Sequence, residues 1–206
     1  MLRILFTCLL LCPIARADEP KGPNDDVLEI AYEYEDGGHY KWKGSGVPEE
    51  LRFGGEQILP KGDGTYCCGY TLAVVFKAAE QRGLLEKKTV DDVRKLHKMW
   101  YGDTDDSKET LVQHALKELK LGKSVEHEDA QPGDFVQFWR TNKSGHSVIF
   151  LEWIVDEGAR IGVKYRSSQK STDGIGDRIE YFSDVDNQDG KLDRKRFYIV
   201  RLNKPE

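Results

Sequence analysis

The hydrophobic period of this chain changes once, at Pro132-Gly133-Asp134, and that switch limits the fold more than any other feature. Before it, apolar residues recur at helical spacing. Val27, Ile30, Ala31 and Tyr34 predict a helix capped by Asp25 or Asp26. Leu72, Val75, Phe76 and Ala79 predict a second, closed by Gly83. Thr89-x-x-Asp92 is a capping-box variant that opens a third, with Val93, Leu96 and Trp100 on one side. Leu111, Ala115, Leu116 and Leu119 mark a fourth, ended by Gly122. After the switch, 135–139, 146–155, 160–168 and 197–202 are rich in β-branched and aromatic residues and predict strands. Asp156-Glu157-Gly158 predicts a hairpin turn, as does the acidic, Gly-containing stretch from Asp184 to Gly190. Gly-rich 36–46, Phe53-Gly54-Gly55 and Lys61-Gly62-Asp63-Gly64 predict loops. Helices first and antiparallel strands afterwards predict an α+β domain with the helices packed on one face of a sheet.

The first seventeen residues predict an export signal: basic Arg3, an apolar run from Ile4 to Ile14, and Ala15-Arg16-Ala17 as a small-x-small cleavage site. The apolar run is shorter than the about 20 residues a membrane-spanning helix needs. Residues 18–26 are then expected to be a flexible leader and 27–206 one domain, secreted or periplasmic and not inserted in a membrane after cleavage. The full chain has a formal charge of −5. Losing Arg3 and Arg16 makes it more acidic still. A net acidic domain with no basic cluster argues against nucleic acid or an anionic membrane as partner. The domain is expected to act as a monomer.

Removal of the signal leaves two cysteines, Cys67 and Cys68, side by side. Exported domains use cysteines in separated pairs as staples, and adjacent Cα atoms lie closer than an ordinary disulfide accepts. The pair therefore calls for another role. It sits where a Gly-rich loop turns into a buried helix. The free N–H groups and dipole at a helix start stabilise a thiolate and can hold an oxyanion. Gly145-His146-Ser147 opens an apolar strand, from which a His can reach the start of a helix packed on the sheet and take a thiol proton.

Several of these segments together resemble a known group. Phe53-Gly54-Gly55, Lys61-Gly62 and Tyr66-Cys67-Cys68-Gly69-Tyr70 are similar to the segment through the nucleophile of NlpC-type cell-wall peptidases. Gln131-Pro132-Gly133-Asp134-Phe135, followed by Gly145-His146-Ser147-Val148, resembles the paired strands of the NlpC and CHAP families. The resemblance runs from about Phe53 to Gln169. It implies a papain-like fold, amide hydrolysis without a cofactor, and the peptide part of peptidoglycan as substrate.

Two positions depart from that pattern. Where one Cys is usual, this chain has two. Matching the small-Gly pair after the nucleophile selects Cys67. Matching the apolar helix face selects Cys68, because Leu72, Val75, Phe76 and Ala79 fill a core better than Thr71, Val74, Val75 and Ala78. On that ground Cys68 is taken as nucleophile and His146 as base. The resemblance also implies a polar residue on the next strand to orient the imidazole, and 161–168 holds no His, Asn or acid. With Ile161, Val163 and Tyr165 facing inward, alternation puts Ser167 and then Gln169 on the same side; Gln169, whose amide oxygen can accept the imidazole N–H, is taken as the orienting residue. Gln57 precedes the cysteines, as an oxyanion-binding Gln precedes the nucleophile in papain, but reads better as a loop residue. Two other readings are an inactive papain-like binding module and a vicinal Cys67–Cys68 disulfide with a structural or redox role.

Overall fold

The computed structural model describes residues 22–106, 108–186 and 188–204. The expected signal, 1–17, and the start of the leader lie outside the described residues. The domain is α+β; among the described residues it has four α-helices and a seven-stranded antiparallel sheet.

Helix α1 spans Asp25–Glu33 and buries Val27, Ile30 and Ala31. It begins inside the expected leader. Asn24 is the N-cap residue, and Asp25 and Asp26 occupy the first turn, where carboxylates meet the positive end of the helix dipole. Arg82, 5% exposed, fastens this helix to the end of the chain. Its guanidinium donates to both carboxylate oxygens of Asp26 and to the carbonyls of Pro23, Leu202 and Asn203. Arg82→Ala is expected to cost about 2–4 kcal/mol of stability, since it strands those acceptors. A fall in the denaturant midpoint with unchanged slope would verify it; an unchanged midpoint would contradict it.

Helix α2, Cys67–Gln81, is the centre of the domain. Every residue from Cys67 to Phe76 is buried, with Ala78 and Ala79 beyond them. The strand pair β2 (Leu51–Phe53) and β3 (Glu56–Leu59) turns at Gly54-Gly55, both at positive φ, so the expected loop at Phe53-Gly54-Gly55 is the corner of a hairpin. Helix α3, Val90–Tyr101, carries the expected capping box between Thr89 and Asp92 and ends at Gly102. Helix α4, Val112–Glu118, is shorter than expected. The chain turns at Lys120, and Gly122 begins a strand instead of ending the helix.

The large sheet contains β1 (Gly37–Gly38), β4 (Gly122–Val125), β5 (Phe135–Arg140), β6 (Gly145–Asp156), β7 (Ala159–Gln169), β8 (Gly174–Tyr181) and β9 (Leu192–Leu202), in the order β1-β8-β7-β6-β5-β9-β4. Strand β8, which follows Gln169 after one short turn, is paired to β7 along its whole length. The segment from Asp184 to Gly190 is not a hairpin, because β7, β6 and β5 separate the strands it joins. Turn residues are visible in a sequence; the partners of the flanking strands are not.

Both faces of the sheet are apolar, which explains the near-continuous apolar run of β5. Phe135, Ile149 and Val200 face the helices. Val136, Phe138, Val148, Phe150, Val163 and Tyr165 form a second core with Phe182, Leu192, Phe197 and Ile199.

Candidate active site

The start of α2 is built by a close crossing. Gly69 has no Cβ, and one placed there would lie 2.1 Å from the Gly46 carbonyl oxygen. The chain around Gly46 therefore runs directly over the first turn. Tyr66, the N-cap residue, has an extended backbone, and its N–H reaches the Gly46 carbonyl at 3.4 Å. Tyr66 offers no side-chain cap, so the first-turn N–H groups of α2 remain able to meet a developing negative charge. Cys67 and Cys68 are both buried and both free, with their sulfurs 3.8 Å apart.

His146 lies one residue into β6, at the rim of the sheet, and is 6% exposed. Its Nε2 is 3.4 Å from Oε1 of Gln169, the last residue of β7. Continuing the β6–β7 register from Ile149–Arg166 puts these two residues opposite each other. The Gln169 amide is oriented by its other end. Its Nε2 donates to Thr172 Oγ1 at 2.6 Å and to the Gly176 carbonyl at 3.1 Å. A carbonyl only accepts, so the amide nitrogen must face Gly176 and the oxygen must face the imidazole. His146 therefore carries a proton on Nε2, and Nδ1 is left for a thiol.

The charge of His146 acts on Cys67. The Cys67 thiol is held well below the ordinary cysteine value by a hydrogen bond from the Cys68 thiol. Burial opposes this; the charge and hydrogen bond of His146 and the N–H of Ser147 add to it. Cys68 is pushed well above its ordinary value by its bond to Cys67 and by burial. Of the pair, Cys67 is thus the more acidic thiol and Cys68 the less acidic. The Cys68 sulfur lies 3.6 Å from Ser147 Oγ, which donates to Gln137 Oε1 at 2.8 Å.

The electrostatics couple His146 to Cys67, whereas Cys68, chosen on periodicity, lines the adjoining cleft. From Cys67 to Phe76 every residue of α2 is buried, so the apolar face carries no information about which cysteine meets the base. His146 and Gln169 lie together as expected. Gln57 does not join them; its amide donates to Glu50 on the β2–β3 hairpin.

No protein-family model, curated protein or solved structure matches this chain.

Beside the cysteines lies a cleft of about 290 Å³ lined by Trp42, Lys43, Tyr66, Cys68, Tyr101 and Asp103. Trp42 is 65% exposed and packs on Tyr66 with ring centroids 4.9 Å apart. Of the four tryptophans it is the one free to meet a ligand in this cleft; Trp100 is fully buried in the core. Sequence reasoning missed Gln137 and Ser147. They are polar residues within apolar strands, directly paired across β5 and β6, and that interruption of the apolar pattern was the available signal.

Proposed function

We propose that this protein is a papain-like cysteine hydrolase that cleaves amide bonds, with Cys67 as nucleophile, His146 as base and Gln169 as the residue that orients the imidazole. One observation carries the reading: two buried free thiols open a helix beside a histidine whose Nε2 faces a fixed glutamine oxygen, and that histidine draws the Cys67 thiol down. The resemblance to the NlpC and CHAP families supports the same roles. It also suggests the peptide part of peptidoglycan as substrate, met outside the cell once a signal is removed.

In the proposed reaction the Cys67 thiolate attacks the carbonyl carbon, and the oxyanion turns toward the N–H groups at the start of α2. The imidazolium returns its proton to the leaving amine as the C–N bond breaks. Water, deprotonated by His146, then attacks the thioester and releases the acid and the thiol. The cleft walled by Trp42, Tyr66 and Tyr101 is where the substrate would lie against the cysteines.

An electrophilic peptide probe, such as a peptidyl chloromethyl ketone, tests this. We expect one adduct per chain, mapped by mass spectrometry to Cys67, together with loss of peptidoglycan-peptide hydrolysis. A folded protein that takes up no probe at either cysteine is not a cysteine hydrolase.

A further inference from the structure

His146 is held between two aromatic rings. Phe138, its direct partner across β5 and β6, and Tyr165 from β7 each present edge-on geometry with centroids 5.5 Å from the imidazole. Both rings lead to the same buried ion pair. The Tyr165 hydroxyl donates to Glu180 Oε1 at 2.5 Å. Arg140 donates to the two Glu180 oxygens at 2.7 and 2.6 Å, in a two-pronged arrangement. The Arg140 guanidinium carbon also lies 5.2 Å from the Phe138 ring centroid. A closed circuit thus runs from one side of the imidazole to the other through Tyr165, Glu180, Arg140 and Phe138. The Glu180 side chain is only 8% exposed. Burying a carboxylate is costly unless it is paired and hydrogen-bonded, and the reaction described above makes no use of this one.

We propose that Glu180 is a positioning residue for His146: paired with Arg140, it braces the Phe138 and Tyr165 rings that hold the imidazole beside the cysteines. This rests on the Cys67–His146 reading. Gln169 fixes one ring nitrogen, and the two braced rings fix the plane of the imidazole. Burial pushes the Glu180 carboxyl up, yet the Arg140 hydrogen bonds and charge, then Tyr165 and then His146, outweigh burial and hold it below its usual value. Burial and Glu180 together keep Tyr165 protonated, so its hydroxyl stays a donor.

The titratable and charged groups facing this centre are Cys67 and Cys68 from α2, Arg140 at the end of β5, Tyr165 from β7 and Glu180 from β8. Arg178 adds a second cation 3.7 Å from Glu180, and Tyr40 lies near both thiols. The experiment follows the rate of iodoacetamide alkylation at Cys67 against pH, with the adduct mapped by mass spectrometry. In the parent, labelling should persist well below the pH at which a free thiol reacts. Glu180→Gln should move that profile up by about one pH unit, so that near pH 6 Cys67 reacts about tenfold more slowly. Glu180→Asp should recover part of the difference. Because Glu180→Gln leaves Arg140 unpaired, the double variant Arg140→Gln/Glu180→Gln serves if the single variant does not fold, and it should shift in the same direction. A folded variant of either kind with the parental profile overturns the proposal. A parent that labels only where free thiols do overturns the Cys67–His146 reading itself, and the two failures are told apart by the parent curve.

Discussion

Replacing Cys67 by alanine is expected to abolish hydrolysis, with a loss on the order of 10⁴-fold or more, whereas Cys68→Ser should retain turnover within about tenfold. The asymmetry follows from the division of roles in the pair. His146 and the Ser147 N–H both act on Cys67, so removing that sulfur removes the only group both can activate. The covalent route then closes, and only binding and oxyanion contacts remain. Cys68 contributes a hydrogen bond to its neighbour and a contact to Ser147 Oγ, and a serine hydroxyl can supply both in shortened form. The sign of the pH dependence is fixed by the same facts. A thiol held below its ordinary value ionises at lower pH than a free one, so activity should extend to lower pH than for an unassisted thiol. Steady-state turnover of the two variants across pH 5–8 decides the matter. Full activity in Cys67→Ala, together with its loss in Cys68→Ser, would return the nucleophile to Cys68.

His146→Ala is expected to lower turnover by about 10²- to 10⁴-fold, the usual contribution of a general base, while the fold is retained. The imidazole is nearly enclosed by Phe138 and Tyr165, so its removal leaves a small cavity and should cost about 1–3 kcal/mol of stability. Thiol reactivity should fall with turnover, because the imidazolium that favours the Cys67 thiolate is gone. Gln169→Ala should show a smaller loss, since its amide aligns a base that remains present. It would also free Thr172 Oγ1 and the Gly176 carbonyl from their donor. Comparing thermal unfolding with turnover separates the two effects. A folded His146→Ala protein with parental activity would remove His146 from the mechanism.

The fold class was legible because each segment of the chain keeps one hydrophobic period, and Thr89 and Gly83 mark helix ends by local chemistry. The short strands β1, β2, β3 and β4 were not legible. Two to four residues are too few to show alternation, and their glycines serve turns and close approaches. Strand β8 was hidden because Gly174-Ile175-Gly176 reads as a turn, although a Cβ at Gly174 would lie 1.9 Å from the Gly37 carbonyl oxygen, so the glycine is what allows β1 to pair there. At the site, His146 and Gln169 could be found from strand position and alternation, both of which follow from local geometry. The choice between Cys67 and Cys68 could not. It depends on how the rim of the sheet meets the helix, and no periodicity within α2 contains that information. The circuit through Arg140 and Glu180 was hidden for a similar reason: its members come from different strands, and only the sheet order brings them together.

The burial of α2 from Cys67 to Phe76 also bears on how such a protein can change. Its first residue cannot shift without disturbing ten consecutive buried residues. Variation that moved the sulfur would be felt throughout the core, and selection for folding alone would remove it. The cleft wall is under no such restraint. Trp42 and Lys43 sit in the loop between β1 and β2, and Asp103 follows Gly102 just past the end of α3. Substitutions there alter what the cleft can hold while the thiol stays in place. Drift in substrate preference should therefore accumulate in those two connections, with the chemistry inherited unchanged.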